Sequence, residues 1–266
     1  MIPRKVVIRG AGDLATGVAH RLWHSGFLVI MLELPGPLVV RRNVAFASAV
    51  YEGSIEVENV RAELCPSPGK AGEYLERRVI PVLIDGEAKS LAFLEPSILI
   101  DAIMAKRNQV TIIDQADLTI GLGPGFTAGN DVHVVIETER GHNLGRVIHS
   151  GSAAEDTTVP GKISGYGIER LLRAPAGGIF RPVKEIGDTV GAGETVAFVD
   201  DRKINATISG LVRGMLYGGT RVAEGMKVGD IDPRGATVNY HLISDKARAV
   251  GGGVLEAILN RYFRKP

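Results

Sequence analysis

The sequence predicts an α/β fold in which a parallel sheet domain carries an inserted small all-β module. The chain opens with a strand, a glycine turn, a helix and a second strand, the smallest parallel α/β element. From Ile168 to Asp232, short apolar runs alternate with frequent glycine turns and show no helical periodicity. Helical spacing returns between Ala249 and Tyr262, and this return indicates that the β module is an insertion.

The first three elements follow from short apolar patterns. Val6-Val7-Ile8 is a continuous apolar run that ends at a glycine, which is typical of a buried parallel strand. Residues Leu14 to His24 have apolar side chains at helical spacing, and Gly26 ends that helix. Phe27 to Leu32 is predicted to be the second buried strand.

The middle of the chain contains weaker patterns. Further strands are predicted at Ile80–Ile84, Leu118–Ile120 and Val132–Ile136, and a helix at Pro96–Lys106, where isoleucines recur. The domain boundaries expected from the composition are residues 1–165 for the sheet domain, 168–232 for the β module and 235–266 for a C-terminal strand and helix. The strand of that last segment is predicted at Val238–Ile243.

The glycine turn after the first strand has the pattern of a phosphate-binding loop. In the pattern G-x-G-x-x-G/A, the first glycine makes the turn, the second admits a pyrophosphate and the third position allows close packing of helix on strand. Glu33 lies where an acid would bind ribose hydroxyls, so the domain is predicted to be Rossmann-like. A tight packing turn without ligand stays open as the alternative, and the Asp13 carboxylate would repel a phosphate. The predicted cofactor-binding residues here are Gly10, Gly12, Asp13, Leu14, Ala15 and Glu33.

Two further loops are candidates for the same site. Gly123 and Gly125 belong to a glycine-rich loop after the apolar run that ends at Ile120, where backbone amides could hold an anion. The alternative is a sharp turn preset by Pro124. Arg41 and Arg42 follow the second strand and could neutralise a phosphate or carboxylate, although adjacent loop arginines are commonly only solvated.

The β module resembles half-barrels of the biotinyl/lipoyl type, a barrel-sandwich arrangement. The pattern G-x-x-V-x-x-G occurs at Gly187 and again at Gly219. Carrier domains of this kind present a modifiable lysine on a hairpin. Lys203 occupies a short hairpin without the flanking methionine of a biotin site, so it is interpreted as an ordinary exposed lysine.

Composition limits the classes of function. The chain has 266 residues and a formal net charge of +1, so neither a basic nucleic-acid surface nor an acidic arm is indicated. No apolar run approaches the roughly 20 residues that span a bilayer. The single cysteine excludes an internal disulfide and favours the reducing cytoplasm. Neither a zinc-type spacing nor a nucleophile motif occurs, so no metal is expected and the catalytic residues are unknown.

Taken together, these stretches resemble the YqeB family of accessory proteins of selenium-dependent molybdenum hydroxylases. The matching stretches are Val7–Gly17, Pro37–Arg42, Gly121–Phe126, Val132–Thr138, Arg140–Val147 and Gly251–Ala257. The resemblance implies a role in maturing such a hydroxylase, related to that of the XdhC-type factors. It implies a pathway rather than a reaction.

Three functions are therefore weighed. The first is a maturation factor that binds a nucleotide-bearing cofactor at the Gly10–Ala15 turn, with an NAD-like dinucleotide or a molybdenum-pterin nucleotide as the ligand. Its expected partner is the hydroxylase or its maturation machinery, and a homo-oligomer is allowed. The second is an NAD(P)-linked oxidoreductase that acts on a selenium or cofactor intermediate. The third is a non-enzymatic module that binds a partner.

Overall fold

The computed structural model describes residues 4–105, 107–108, 110–156 and 160–263 of the chain. It divides into two compact units. The first comprises Met1–Pro37, Ala45–Thr157 and Ile243–Pro266, and the second comprises Leu38–Val44 and Thr158–Leu242. The chain thus leaves the first unit twice before its last helix returns to it.

A nine-stranded sheet with the order β10-β9-β7-β6-β1-β2-β5-β4-β3 forms the first unit. Seven neighbouring strands, from β9 to β4, run parallel, while β3 and β10 pair antiparallel at the two edges. A separate two-stranded pair consists of β8 and β11. The strands are β1 (Lys5–Arg9), β2 (Leu28–Glu33), β3 (Ser54–Val57), β4 (Val60–Cys65), β5 (Ile80–Ile84), β6 (Ile98–Asp101), β7 (Leu118–Leu122), β8 (Thr127–Ala128), β9 (Val134–Ile136), β10 (Val147–Ile148) and β11 (Gly151–Ser152).

Two long and three short α-helices accompany this sheet in the part of the chain that the structure describes. The helices are α1 (Asp13–His24), α2 (Ala49–Glu52), α3 (Ala71–Glu76), α4 (Leu91–Leu94) and α5 (Asp245–Phe263). Within the described part of the chain, no helix combines the length and the apolar character that a membrane span requires.

The central strands are buried on both faces, as expected for parallel strands between helices. Val6, Val7 and Ile8 of β1 have no exposed surface. Val7 packs in a cluster with Leu83 and Leu94, which also contains side chains from α3. The continuous apolar runs that predicted β1 and β2 therefore reflect this double burial.

Helices α1 and α5 approach each other through glycine. A Cβ added at Gly17 would lie 2.6 Å from the Cβ of Ala247, and one added at Gly251 would lie 2.9 Å from the carbonyl oxygen of Gly17. Gly253 is in equally close contact with the backbone of Gly145, since a Cβ added at Gly253 would overlap the carbonyl oxygen of Gly145. The glycines of α5 therefore allow the helix to pack directly on the backbone of α1 and of the loop before β10.

The second unit consists of two four-stranded antiparallel sheets with the orders β12-β19-β17-β14 and β16-β15-β13-β18. Its core includes Phe180, Val196, Val212 and Met215, all fully buried. The strands are β12 (Leu171–Arg173), β13 (Gly178–Pro182), β14 (Thr189–Val190), β15 (Thr195–Val199), β16 (Arg202–Asn205), β17 (Gly210–Met215), β18 (Arg221–Val222) and β19 (Lys227–Asp232).

The predicted fold class is wrong. The sheet of the first unit is mixed instead of parallel, because β3 and β10 run antiparallel at its edges. The second unit has two separate antiparallel sheets, so the predicted Rossmann-like domain with a biotinyl/lipoyl-like barrel-sandwich is not the arrangement found. Local patterns specify single elements, whereas the direction of edge strands and the closure of sheets depend on long-range pairing.

Two single elements also differ from expectation. The helix predicted at Pro96–Lys106 is instead strand β6, whose side chains are buried throughout; Lys106 itself lies outside the described residues. A fully buried strand and a buried helix cannot be distinguished by periodicity in so short an apolar run. The strand predicted at Val238–Ile243 is absent, since this described segment forms turns and irregular backbone.

The glycine contacts of α5 give a testable prediction. Gly251→Val should lower the free energy of unfolding by about 1–3 kcal/mol, because its side chain must displace the backbone of α1. Gly252→Val is the matched control, since a Cβ there meets nothing within 4 Å. The control should stay within about 0.5 kcal/mol of the parent. Urea denaturation measures both, and equal losses in the two variants would contradict this packing.

Candidate functional site

The carboxyl ends of β1 and β6 lie where the order of the strands along the sheet reverses. Strand β1 pairs with β2, which follows it directly, on one side and with the much later β6 on the other, all parallel. Loops that leave two such strands diverge and open a crevice, and open α/β sheets bind their ligands there. The glycine turn and α1 begin at the place where such a crevice, here called the β1/β6 crevice, is expected.

Gly10 makes the turn for reasons of backbone geometry. Its φ of +90° lies in the region that favours glycine. A Cβ at this position would also lie 3.1 Å from the carbonyl oxygen of Ala102, just after β6. The turn is fixed further by Thr16, whose hydroxyl donates to the carbonyl of Ala11 at 3.2 Å and accepts from the amide of Phe46 at 2.8 Å. The backbone is therefore held rigidly where it enters α1.

The start of α1 has no side-chain cap. Gly12 is the N-cap residue, with φ −68° and ψ −174°, and its carbonyl accepts the first helical hydrogen bond from Thr16 at 2.8 Å. The amides of Asp13, Leu14 and Ala15 precede that bond, so the helix itself offers them no acceptor. These amides and the helix dipole form a positive end that faces the carboxyl edge of the sheet.

Glu33 closes one side of the turn. Its Oε2 accepts a hydrogen bond from the amide of Ala11 at 2.7 Å, and its Oε1 accepts one from the amide of Leu34 at 2.8 Å. Burial raises the pKa of this carboxyl group, while the two backbone hydrogen bonds act in the opposite direction. Since the Ala11 amide is already bound, an anion at the turn would be left with the amides at the start of α1.

Lys246 is the site residue that sequence reasoning missed. It lies in the first turn of α5, and its ammonium group is within electrostatic range of Asp13, Glu137 and Asp156. Burial lowers the pKa of Lys246, with Arg140 acting in the same direction and the three carboxylates against it. The glycine contacts between α1 and α5 bring this lysine to the start of α1. No sequence signal marked it, because its position depends on two helices more than 200 residues apart.

The second glycine loop serves packing in this structure. A Cβ at Gly121 would lie 2.5 Å from the ring of Phe126, and one at Gly123 would lie 2.5 Å from the hydroxyl of Thr138. Gly123 also donates from its amide to the carbonyl of Ile136 at 2.9 Å, and both Gly123 and Gly125 have positive φ. These contacts give physical reasons for the loop, and binding of an anion by Gly123 and Gly125 stays a prediction.

Glu137 orders the segment beside this loop. The side chain is buried, and Oε1 accepts from the amides of Thr138 at 2.7 Å and Glu139 at 2.8 Å. Its Oε2 accepts from the amide of Ala154 at 2.8 Å. A carboxylate with three amide donors is well suited to hold a loop, so we assign Glu137 a structural role.

A buried ion pair joins the ends of β1 and β6 beneath the crevice. Nη1 of Arg9 lies 3.0 Å from Oδ2 of Asp101, and both side chains are buried. Thr111 donates from its hydroxyl to the same Oδ2 at 2.6 Å and accepts from Arg9. Oδ1 of Asp101 accepts from the amide of Ile103 at 3.1 Å. The carboxylate is thus satisfied on both oxygens and fixes the loop that follows β6.

Arg41 and Arg42 belong to the second unit and are bonded there. Arg41 donates to the carbonyl of Leu242 at 3.0 Å. Arg42 donates to Glu185 at 2.9 Å, and its guanidinium lies 4.6 Å from the centre of the Tyr217 ring. Their part in the phosphate site stays a prediction. Among the described residues, no group of three or more His, Cys, Asp or Glu side chains could hold a metal ion.

Comparison with known proteins identifies one curated relative at high identity. The chain is 53% identical over 254 residues to the Escherichia coli (strain K12) protein YqeB, which is described as uncharacterized. The match covers 96% of this chain and 47% of YqeB, so the chain spans about half the length of that relative. No family model matches the chain. The relationship supports the YqeB family and adds no activity.

Solved structures show only distant likeness. An aspartoacylase family protein from Mesorhizobium loti has a TM-score of 0.29 and 15% identity, covering 87% of this chain and 85% of its own. A succinylglutamate desuccinylase/aspartoacylase from Rhodobacter sphaeroides has a TM-score of 0.26 and 14% identity, with coverages of 86% and 85%. Likenesses at these TM-scores give no information about the chemistry of this chain.

The predicted function is wrong on these findings. The two solved structures named above are described as an aspartoacylase family protein and a succinylglutamate desuccinylase/aspartoacylase, and the YqeB relative is not described as a maturation factor. Selenium, a molybdenum hydroxylase and a link to XdhC-type factors have no support among them. The two alternatives, an NAD(P)-linked oxidoreductase and a non-enzymatic partner-binding module, are unsupported as well.

The buried ion pair leads to a second prediction. Asp101→Asn should lower the free energy of unfolding by about 3–5 kcal/mol, because it leaves the buried Arg9 guanidinium uncompensated. Glu87→Gln is the control, since its ion pair with Lys89 is exposed and should contribute about 0–1 kcal/mol. Thermal and urea unfolding measure both variants. A loss in Asp101→Asn no larger than in the control would show that the pair does not hold the two strand ends.

Proposed function

We propose that this homologue of YqeB binds a small phosphate ester at the carboxyl edge of its sheet, with the phosphate at the start of α1. The observation that carries the proposal is a rigid helix start without a side-chain cap, placed at the β1/β6 crevice with a partly buried lysine beside it. Backbone amides at such a helix end form a ready anion site.

Each neighbouring group would have a distinct part in this binding. The amides of Asp13 and Leu14 would donate to phosphate oxygens, and the Lys246 ammonium would supply a positive charge. The Asp13 carboxylate would repel a bound anion. The Lys246 ammonium offsets this repulsion, because it lies within electrostatic range of Asp13. Glu33 is placed to accept a hydrogen bond from a hydroxyl group of the ligand, as carboxylates do at this position in open α/β sheets.

The role of Gly12 can be tested directly. Its φ and ψ are accessible to any residue, so Gly12→Val introduces no strained backbone. The valine side chain would stand where the phosphate must approach the backbone. We expect Gly12→Val to bind ribose 5-phosphate at least about tenfold more weakly than the parent by calorimetry, which corresponds to about 1.4 kcal/mol or more.

Gly252→Val is the matched control for this experiment, because it makes the same change at an open position of α5. The control should bind as the parent does, and the melting temperatures of both variants should remain close to that of the parent. If Gly12→Val is as stable as the parent and binds ribose 5-phosphate equally well, the turn is only a packing device and the proposal fails.

The charge of Lys246 gives a pH-dependent prediction. Because its pKa is lowered, the ammonium group loses its proton at a lower pH than the ordinary lysine value of about 10.4. Affinity for ribose 5-phosphate should therefore fall as pH rises through this lowered pKa. Lys246→Met should weaken binding about tenfold at neutral pH and remove that fall.

Calorimetry from about pH 7 to about pH 10, the range below the ordinary lysine pKa, measures the effect. Binding should also be accompanied by proton uptake at the upper end of this range, because a bound phosphate stabilises the ammonium form. Lys203→Met, an exposed position of the second unit, controls for the change in net charge. A pH profile shared by the parent and Lys246→Met would contradict the assignment.

A further inference from the structure

A cavity of about 560 Å³ lies at the carboxyl ends of β4 and β5 in the first unit. These two strands run parallel as neighbours, and Cys65 at the end of β4 pairs with Leu83 of β5. The loops that follow both strands and helix α4 supply the other walls. A volume of several hundred Å³ is typical of sites for small molecules. The described lining residues include none from the glycine turn, so this cavity is separate from the proposed phosphate site.

The wall formed by the loop after β4 has a fixed shape. Pro66 and Pro68 restrict the backbone of this loop, because their rings fix φ. The carbonyl of Ser67 accepts hydrogen bonds from the Cys65 thiol at 3.2 Å and from the amide of Lys70 at 3.1 Å. The cavity is therefore formed before any ligand enters, as is usual for sites that bind small molecules.

The rim of the cavity carries apolar side chains that are unusually exposed for their size. Phe93 is 67% exposed and Ile84 is 48% exposed, and both line the cavity. The Phe93 ring reaches from α4 to the loop after β4, with its Cζ 3.9 Å from where a Cβ of Gly69 would be. An exposed ring in this position can stack on a flat group and can attract a cation to its face.

Asp85 places a carboxylate in the wall of the cavity. Its Oδ2 accepts from the amide of Ser90 at 2.7 Å and from the Ser90 hydroxyl at 2.5 Å. Its Oδ1 accepts from the amide of Lys89 at 3.0 Å and, as a carboxylate oxygen, has room for a second donor. Burial acts to raise the pKa of Asp85, but the hydrogen bonds from Ser90 and Lys89 lower it overall, so the group is ionised at neutral pH.

The other titratable groups of the wall leave this negative charge uncompensated. Lys89 lines the cavity, but its ammonium group lies 2.6 Å from the carboxylate of Glu87, and both side chains are exposed. The Cys65 thiol is neutral, because burial raises its pKa. The walls therefore combine apolar surface with one anionic group that can accept a further hydrogen bond. Such a cavity repels anions and attracts cations.

We propose that this cavity binds a small aromatic cation, with its ammonium group at Asp85 and its ring between Ile84 and Phe93. An N–H donor with a positive charge makes a charge-assisted hydrogen bond to a carboxylate, and the ring covers the apolar rim. The site goes beyond the proposed function, because its ligand carries the opposite charge to a phosphate and meets different residues. Neither proposal depends on the other.

Three naphthalene derivatives separate the charge of the ligand from its ring. At neutral pH naphthylmethylamine is a cation, naphthylmethanol is uncharged and naphthoate is an anion, while all three carry the same ring system. We expect calorimetry to show that naphthylmethylamine binds at least about tenfold more tightly than naphthylmethanol, and that naphthoate binds most weakly. Equal affinity for the amine and the alcohol would show that Asp85 does not select a cation. No binding of the amine would overturn the site itself.

Substitutions at the rim and the wall locate the ligand on the protein. Phe93→Ala should weaken the binding of naphthylmethylamine about fivefold, because the ring loses its aromatic partner. Phe263→Ala is the matched control, since Phe263 is 68% exposed at the end of α5 and does not line the cavity. This control should bind as the parent does. Asp85→Asn should remove the preference for the amine over the alcohol. Unchanged binding by Phe93→Ala, or an unchanged preference in a folded Asp85→Asn, would contradict the assignment.

Amide chemical shifts of the unmodified chain give a location that needs no substitution. Titration with naphthylmethylamine should move the amide signals of Ser67, Ser90 and Phe93, which surround the cavity. Saturable changes that leave these three signals in place would put the ligand elsewhere and refute the proposal.

Discussion

The buried ion pair between Arg9 and Asp101 is the interaction on which the geometry of the carboxyl edge depends. It joins the last residues of β1 and β6, where the order of the strands along the sheet reverses. A buried ion pair is stable only when its remaining hydrogen-bonding groups also have partners. The Thr111 hydroxyl and the Ile103 amide donate these remaining hydrogen bonds to the Asp101 carboxylate. Loss of either charge would leave the other buried without a partner. The ion pair therefore holds the ends of the two strands, and the loops that follow them, together.

Glycine provides the second constraint. Gly10 allows the chain to turn against Ala102, while Gly17 and Gly251 allow α5 to pack on the backbone of α1. The same contacts place the first turn of α5 beside the first turn of α1. The Lys246 ammonium therefore lies within electrostatic range of Asp13, the first residue of α1, as the proposed phosphate site requires.

Local patterns in the sequence located the elements that carry this site and failed on their assembly. The predicted strand Val6–Ile8 and helix Leu14–His24 agree with β1 and α1 to within a residue or two, and Ile80–Ile84 agrees with β5. Their signals are short-range: apolar runs, helical spacing and breaking glycines. Contacts between distant residues determine the remaining features, and a single sequence does not reveal such contacts. These features are the antiparallel edge strands, the strand conformation of β6 and the position of Lys246.

Amide chemical shifts of the isotope-labelled protein during titration with ribose 5-phosphate would test the central claim most directly. We expect the largest changes at the amides of Asp13 and Leu14, at the start of α1. Changes confined to the second unit, or no saturable change at the start of α1, would contradict a phosphate site at the β1/β6 crevice.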